Sequence, residues 1–152
     1  MAVPTYTYGK LGINLAKSLV SDLSAAGSDI RVMLLANTYV PDQAGHDSVA
    51  DVVANEITGT GYTAGGAALA NKSVITDGLY SRFKANNTEW SSSTFSARYA
   101  VVYDNTPALA ADKKLIAYAV FDTVKSPENG TLRLEWNTNG IVVLEAITTI
   151  TS

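Results

Sequence analysis

Residues 95–103 read Phe-Ser-Ala-Arg-Tyr-Ala-Val-Val-Tyr (FSARYAVVY), aromatic and β-branched almost throughout, without glycine or proline. Such a run suits a pleated, packed surface and predicts a strand. Phe95, Tyr99 and Tyr103 stand four apart, so a regular strand would carry all three on one face. Residues 104–113 read as a loop. Leu115 to Phe121 is a second buried strand, and Asn129-Gly130 marks a turn before Thr131 to Trp136. There Leu132, Leu134 and Trp136 alternate with Thr131, Arg133 and Glu135, the period of a half-buried strand. Asn139-Gly140 is a further turn, and Ile141 to Ile150 is the last strand.

The same signals run towards the N-terminus. Lys72 to Thr76 and Leu79 to Lys84 flank Asp77-Gly78, a two-residue hairpin signal of the type I′ kind. Ile30 to Ala36 (IRVMLLA) is a short buried strand bounded by turn residues. Between them, residues 37–48 read as loop and Val49 to Ala54 as one helical turn, capped by Ser48 or Asp47. Thr58 to Gly66 holds four glycines in nine residues, a connection that visits backbone conformations closed to other residues. Leu11, Leu15, Leu19 and Leu23, joined by Ala16 and Val20, form an apolar stripe that predicts an amphipathic helix over 9–26, closed by Gly27. Residues 1–8 read as an extended arm that pairs with a sheet edge, its own or a neighbour's. The expected fold is mainly β. It is a single domain over 1–152 with arm 1–8, helix 9–26 and, over 29–152, an antiparallel sandwich or barrel of about seven strands.

Composition narrows the function. The chain has 152 residues, enough for one well-buried domain. It has no cysteine, which removes thiol chemistry, zinc–thiolate sites and disulfides. Charged residues are 16% of the chain and the net charge is −3, against a usual charged fraction of about 25%. No Lys/Arg cluster offers a footprint for nucleic acid, and no apolar run approaches the ~20 residues that span a bilayer. The start, MAVPTYTYGK, lacks the basic and apolar regions of a signal peptide, so synthesis in the cytoplasm without a secretion signal is expected. The sequons at Asn71, Asn86 and Asn129 then carry no meaning.

Motifs for chemistry are sparse. His46 is the single histidine and lies in a loop without HExxH, GxSxG or SxxK company. Asp42, Asp47, Asp51 and Glu56 are spaced irregularly, unlike an EF-hand, and read as loop architecture. The glycine-rich segment follows a loop and precedes strands, with no lysine after it, so it reads as a tight loop packed on the sheet and not as a phosphate cradle. The aromatic residues on strands, with no basic groove beside them, read as core. Trp90 and Trp136 read as core or interface anchors. No catalytic, cofactor-binding or metal-ligating residue is assigned.

The segment Asp29 to Gly66, DIRVMLLANTYVPDQAGHDSVADVVANEITGTGYTAGG, resembles a family of small tailed-bacteriophage virion proteins. The shared features are a strand, then Thr38-Tyr39-x-Pro41-Asp42-x-x-x-His46, then Asn55-Glu56-Ile57, then Thr58-Gly59-Thr60-Gly61-Tyr62-Thr63-x-Gly65-Gly66. Trp90 before a serine-rich turn, Ser96 to Asp104, and Trp136-Asn137 to Gly140-Ile141 extend the likeness. The resemblance implies a virion structural protein, a capsid decoration or head/neck accessory subunit, with other virion proteins as partners and no catalytic residues. A homo-oligomer is expected, with the arm 1–8 and the strand 141–150 as intersubunit contacts. The alternatives are a tail or fibre module that binds a host surface, and a hydrolase built on His46 and nearby carboxylates.

Overall fold

IRVMLL, the run read as a buried strand, forms β2 (Ile30–Leu35), and it is apolar on both sides. Ile30, Val32 and Leu34 face one cluster, while Met33 and Leu35 face another. β7 (Ala97–Asp104) pairs antiparallel along the whole of β2, from Ile30↔Asp104 to Leu35↔Tyr99. β8 (Leu115–Lys125) pairs with β7 on its other side. Two short strands close the edges, β1 (Thr5–Thr7) on β8 and β3 (Ala67–Ala68) on β2, which gives the order β1-β8-β7-β2-β3. The computed structural model describes residues 2–146.

A sheet that is apolar on both faces needs a cover on each. One face packs against two smaller antiparallel sheets. The first joins β10 (Val142–Glu145), β5 (Tyr80–Lys84) and β4 (Ser73–Asp77), and the second pairs β6 (Thr88–Ser93) with β9 (Gly130–Leu134). Phe83, Trp90, Leu132, Leu134, Trp136 and Val142 from this layer meet Val32, Leu34, Ala100, Val102 and Phe121. Burying a side chain of this size contributes about 1.5–3 kcal/mol. The opposite face is covered by the 37–55 connection through Tyr39, Val49 and Val52, with Tyr8 beside them. The result is a mainly β, two-layered antiparallel sandwich with no closed barrel among the described residues.

The helix is shorter than its leucine stripe implies. α1 runs only Leu11–Ala16, and Ser18 then turns left-handed at φ 56°. Downstream, the buried Asp104 carboxylate takes the Ser21 N–H at 2.7 Å, and the Asp22 side chain bonds Ser24 locally. Short polar side chains compete with helical hydrogen bonds in this way. Leu11, Val20 and Leu23 still reach the core, but Leu19 is exposed. The stripe therefore foretold the burial of Leu11, Val20 and Leu23 but not the exposure of Leu19, and the helix it predicted forms only over Leu11–Ala16.

Two further corrections concern faces. A bulge between Ala97 and Tyr99 breaks the alternation, so Phe95 joins the cluster under the small sheets while Tyr99 and Tyr103 join the other. The hairpin closes one residue later than Asp77-Gly78 suggests. Asp77 pairs with Tyr80 and the turn is Gly78-Leu79. Only Gly78 has positive φ, at 61°, the pattern of a type II′ turn. The serine-rich segment after Trp90 is part of strand β6, with Ser93 buried and donating to the Trp90 and Gly130 carbonyls. The final strand ends at Glu145, and residues 147–150 of the 141–150 expectation lie outside the described residues.

Gly66 shows how closely the glycine loop seats on β2. Its φ is +79°, and a Cβ there would overlap the Val32 carbonyl oxygen. Gly66→Ala should therefore lower the free energy of unfolding by about 3 kcal/mol or more. Gly12→Ala, in α1 with open space around it, should raise it by about 0.5–1 kcal/mol. Urea unfolding of both variants checks the pair.

Candidate functional site

The residues of the 37–66 motif converge on the outer edge of β2, where β3 covers only Arg31 and Val32. Beyond β3, the Tyr62 hydroxyl accepts the Leu34 N–H at 3.1 Å, and the Leu34 carbonyl receives the Ile57 N–H at 3.1 Å. The Ala36 N–H donates to the Asn55 carbonyl at 2.9 Å. An edge that would otherwise expose unpaired backbone is thereby filled by the Asn55–Tyr62 segment. Glu56 organises this corner. One carboxylate oxygen accepts both the Tyr62 hydroxyl at 2.7 Å and the Gly65 N–H at 2.6 Å. Tyr103 donates to the Gly65 carbonyl at 2.6 Å. Gly59 and Gly61, both at positive φ, lie against Thr94, Phe95 and Ser93, where Cβ atoms would collide.

His46 and the nearby acids have comparable duties. The buried Tyr8 and Tyr39 hydroxyls are 2.8 Å apart, and Tyr39 reaches His46 Nδ1 at 3.0 Å. With Tyr8 donating to Tyr39 and Tyr39 to Nδ1, that ring nitrogen serves as an acceptor, an assignment from the network. Its ring stacks on Tyr39, whose edge meets Tyr99. Asp42 accepts the Gly45 N–H within its own turn. Asp51 accepts the Ser48 and Asp47 N–H groups at the head of the 3₁₀ turn Val49–Asp51. The Ser48 bond in particular holds the Asp51 carboxyl below its ordinary range. Asp47 binds Asn14 at 2.8 Å and Lys114 at 2.6 Å. Burial pushes its carboxyl up, but these two donors outweigh it and hold the group low. The acids thus point to different partners. No group of three or more His, Cys, Asp or Glu side chains suited to a metal occurs among the described residues.

The arm resolves into β1, paired with β8 of its own chain, with Tyr6 stacked on Tyr118 at 5.2 Å and Tyr8 tilted against it at 5.1 Å. Trp90 and Trp136 are both core residues. Trp136 also borders a cleft of about 290 Å³ with Asn86, Asn87, Asn137 and Thr138. Its indole nitrogen is sealed from solvent and without a partner, and the Asn87 side-chain oxygen is engaged in accepting the backbone N–H of Trp136.

A different region lacks such partners. Residues 74–80 of the β4–β5 hairpin are all exposed, and Val74, Ile75, Leu79 and Tyr80 are among them at 37–50% exposure. Val143 and Leu144 of β10 continue this apolar surface. Cross-strand register divides it into two faces. Val74, Phe83 and Val142 share one, with Leu144, and line an apolar groove of about 260 Å³ against Leu11, Leu15 and Leu23. Ile75, Arg82 and Val143 share the other, where Arg82 lies over the Tyr80 ring at 4.9 Å. Sequence reading missed this surface because adjacent apolar residues in a strand read as buried on both faces.

Comparison with family models, with curated proteins and with solved structures gives no match. No helix of the described residues is long and apolar enough to cross a membrane.

Glu56→Ala removes the shared acceptor of Tyr62 and Gly65, and should cost about 2–3 kcal/mol in urea unfolding. The tyrosines make a pH prediction. Burial raises Tyr39 and Tyr103 to about 12, and pushes Tyr8 and Tyr62 up as well. Unfolded tyrosines ionise near ~10, so between about 10 and 12 the unfolded chain has released protons that the folded chain retains. Stability should be level with respect to these groups below pH ~10 and fall as pH rises through that window. Tyrosinate absorbance and circular dichroism, followed together, should change in one transition.

Proposed function

We propose that the protein is a structural subunit of a tailed-bacteriophage particle, a capsid decoration or head/neck accessory component held by protein–protein contacts. The observation that carries this reading is the exposed apolar hairpin at 74–80, continued by Val143 and Leu144. Apolar side chains left in water on both faces of one hairpin are costly, and such exposed apolar surface typically marks an interaction site. The resemblance of residues 29–66 to virion proteins supports the same reading. Its distinctive residues, Tyr39, His46, Glu56, Tyr62 and Gly66, all have structural partners, as suits a motif that specifies a fold. Other virion proteins are the partners on this reading, and the particle is where the chain resides.

Because β1 belongs to the main sheet, removing residues 1–8 would damage the fold, and the hairpin is the informative place to mutate. The double variant Leu79→Asp, Tyr80→Ser should fold with unchanged circular dichroism. Its abundance in particles assembled by cells that make the chain, measured by mass spectrometry, should fall at least tenfold. A density map lacking the wild-type chain at every shell, neck and tail position would overturn the reading.

A further inference from the structure

The other edges of this protein are managed and that of β4 is not. In the main sheet the edge strands are three and two residues long, too short to template another chain. β6 has a register break between Trp90 and Ser93, β9 carries Arg133 in ion pairs with Glu89 and Glu135, and β10 lies beside β1. β4 is five residues long, Ser-Val-Ile-Thr-Asp, without proline or lysine, and β5 is its only neighbour among the described strands.

The direction of its free hydrogen-bonding groups follows from the hairpin. Asp77 and Tyr80 close a two-residue turn, so they form a hydrogen-bonded pair. Ser73, Ile75 and Asp77 therefore direct their backbone groups to β5, and Val74 and Thr76 direct theirs outward. The alternation on β5 agrees, since the Leu79 and Phe83 carbonyls receive N–H groups from the β10 side.

We infer that β4 pairs antiparallel with β4 of a second copy of this chain, about a two-fold axis at Ile75. In that register Val74 and Thr76 of one copy exchange backbone hydrogen bonds with Thr76 and Val74 of the other. Ile75 faces Ile75 across the non-hydrogen-bonded site at the axis, and Ser73 faces Asp77. Two three-stranded sheets become one of six strands. The occupant is a second copy because the edge is its own complement in three respects. Every outward donor meets an outward acceptor, β-branched residues meet β-branched residues, and the Lys72 end of each strand lies against the oppositely charged Asp77 end of the other. No like charges stand opposite one another. The contact is isologous and closes at two copies.

This pairing names a partner for the surface on which the proposed function rests, yet it is tested on the purified chain alone. Wild type should be a dimer in sedimentation at micromolar concentration. Val74→Pro removes an outward N–H and no bond to β5, and should weaken the dimer at least about 100-fold with circular dichroism unchanged. Ile75→Lys, which sets two ammonium groups at the axis, should do the same and serves if the proline variant fails to fold. The chain has no cysteine, so Ile75→Cys reports the axis alone. It should cross-link to a covalent dimer on oxidation, while Val143→Cys, exposed elsewhere on the sheet, should not. A monomeric wild type, a dimer that persists in folded Ile75→Lys, or equal cross-linking at positions 75 and 143 would overturn the pairing. A dimer made by β4 but missing from particles would leave the pairing intact and remove the virion reading instead.

Discussion

A β2 strand that is apolar on both faces is the constraint from which the remaining structure follows. Ile30, Val32 and Leu34 on one side and Met33 and Leu35 on the other are almost fully buried, and neither row can be left in water. β7 repeats the demand with Ala100 and Val102 against Val101 and Tyr103. The central sheet must therefore be covered on both faces by its own chain. The two small sheets answer for one face, and the Tyr39–Val52 connection answers for the other. Because that connection is not a sheet, its backbone needs local partners. The Asp42 and Asp51 turns and the Asp47 contacts to Asn14 and Lys114 supply them.

The edge of β2 poses the second demand, and its solution explains why so many glycines and tyrosines sit together. A loop completes a strand edge only if its backbone comes as close as a neighbouring strand would. Gly66 makes that approach at the Val32 carbonyl, and Tyr62 substitutes a hydroxyl for a missing backbone acceptor at Leu34. Glu56 then fixes Tyr62 and the Gly65 amide on one oxygen. A charged acceptor shared by two donors is a strong local tie, and it suits a structure with little ionic surface. The phenols at Tyr8, Tyr39, Tyr62 and Tyr103 remain neutral because burial opposes their ionisation.

The sequence was most legible where composition and burial coincide. β2, β7 and β8 lie where their apolar runs place them, and the glycine-rich segment is a tight loop on the sheet. Periodicity misled wherever tertiary partners outcompeted local preference. The leucine stripe at 11–23 has helical spacing, but Asp104, eighty-three residues from Ser21 in sequence, captures a backbone donor there. A bulge sends Phe95 and Tyr99 to opposite faces, and no propensity marks its position. β6 is rich in serine, a weak strand former, and is held by Ser93 hydrogen bonds that depend on Gly130 being nearby. Of the candidate site, the loop architecture was readable and the exposed hairpin was not.

The division of labour between the two regions bears on how such a protein can associate without losing its fold. The strong ties, Glu56 with Tyr62 and Gly65, and Asp47 with Asn14 and Lys114, involve the main sheet and the connections around it. The hairpin tip is joined to the body chiefly through Phe83 and Val142 at its base, both buried, while residues 74–80 extend beyond that anchor. A residue beyond the anchor contributes little to the core, so its side chain is free to be selected for contact with another chain. Had β4 been covered by a fourth strand of its sheet from the same molecule, Val74 and Thr76 would have no backbone groups to offer. Its exposure leaves the only long, unblunted edge among the described strands on the part of the molecule whose alteration disturbs the core least.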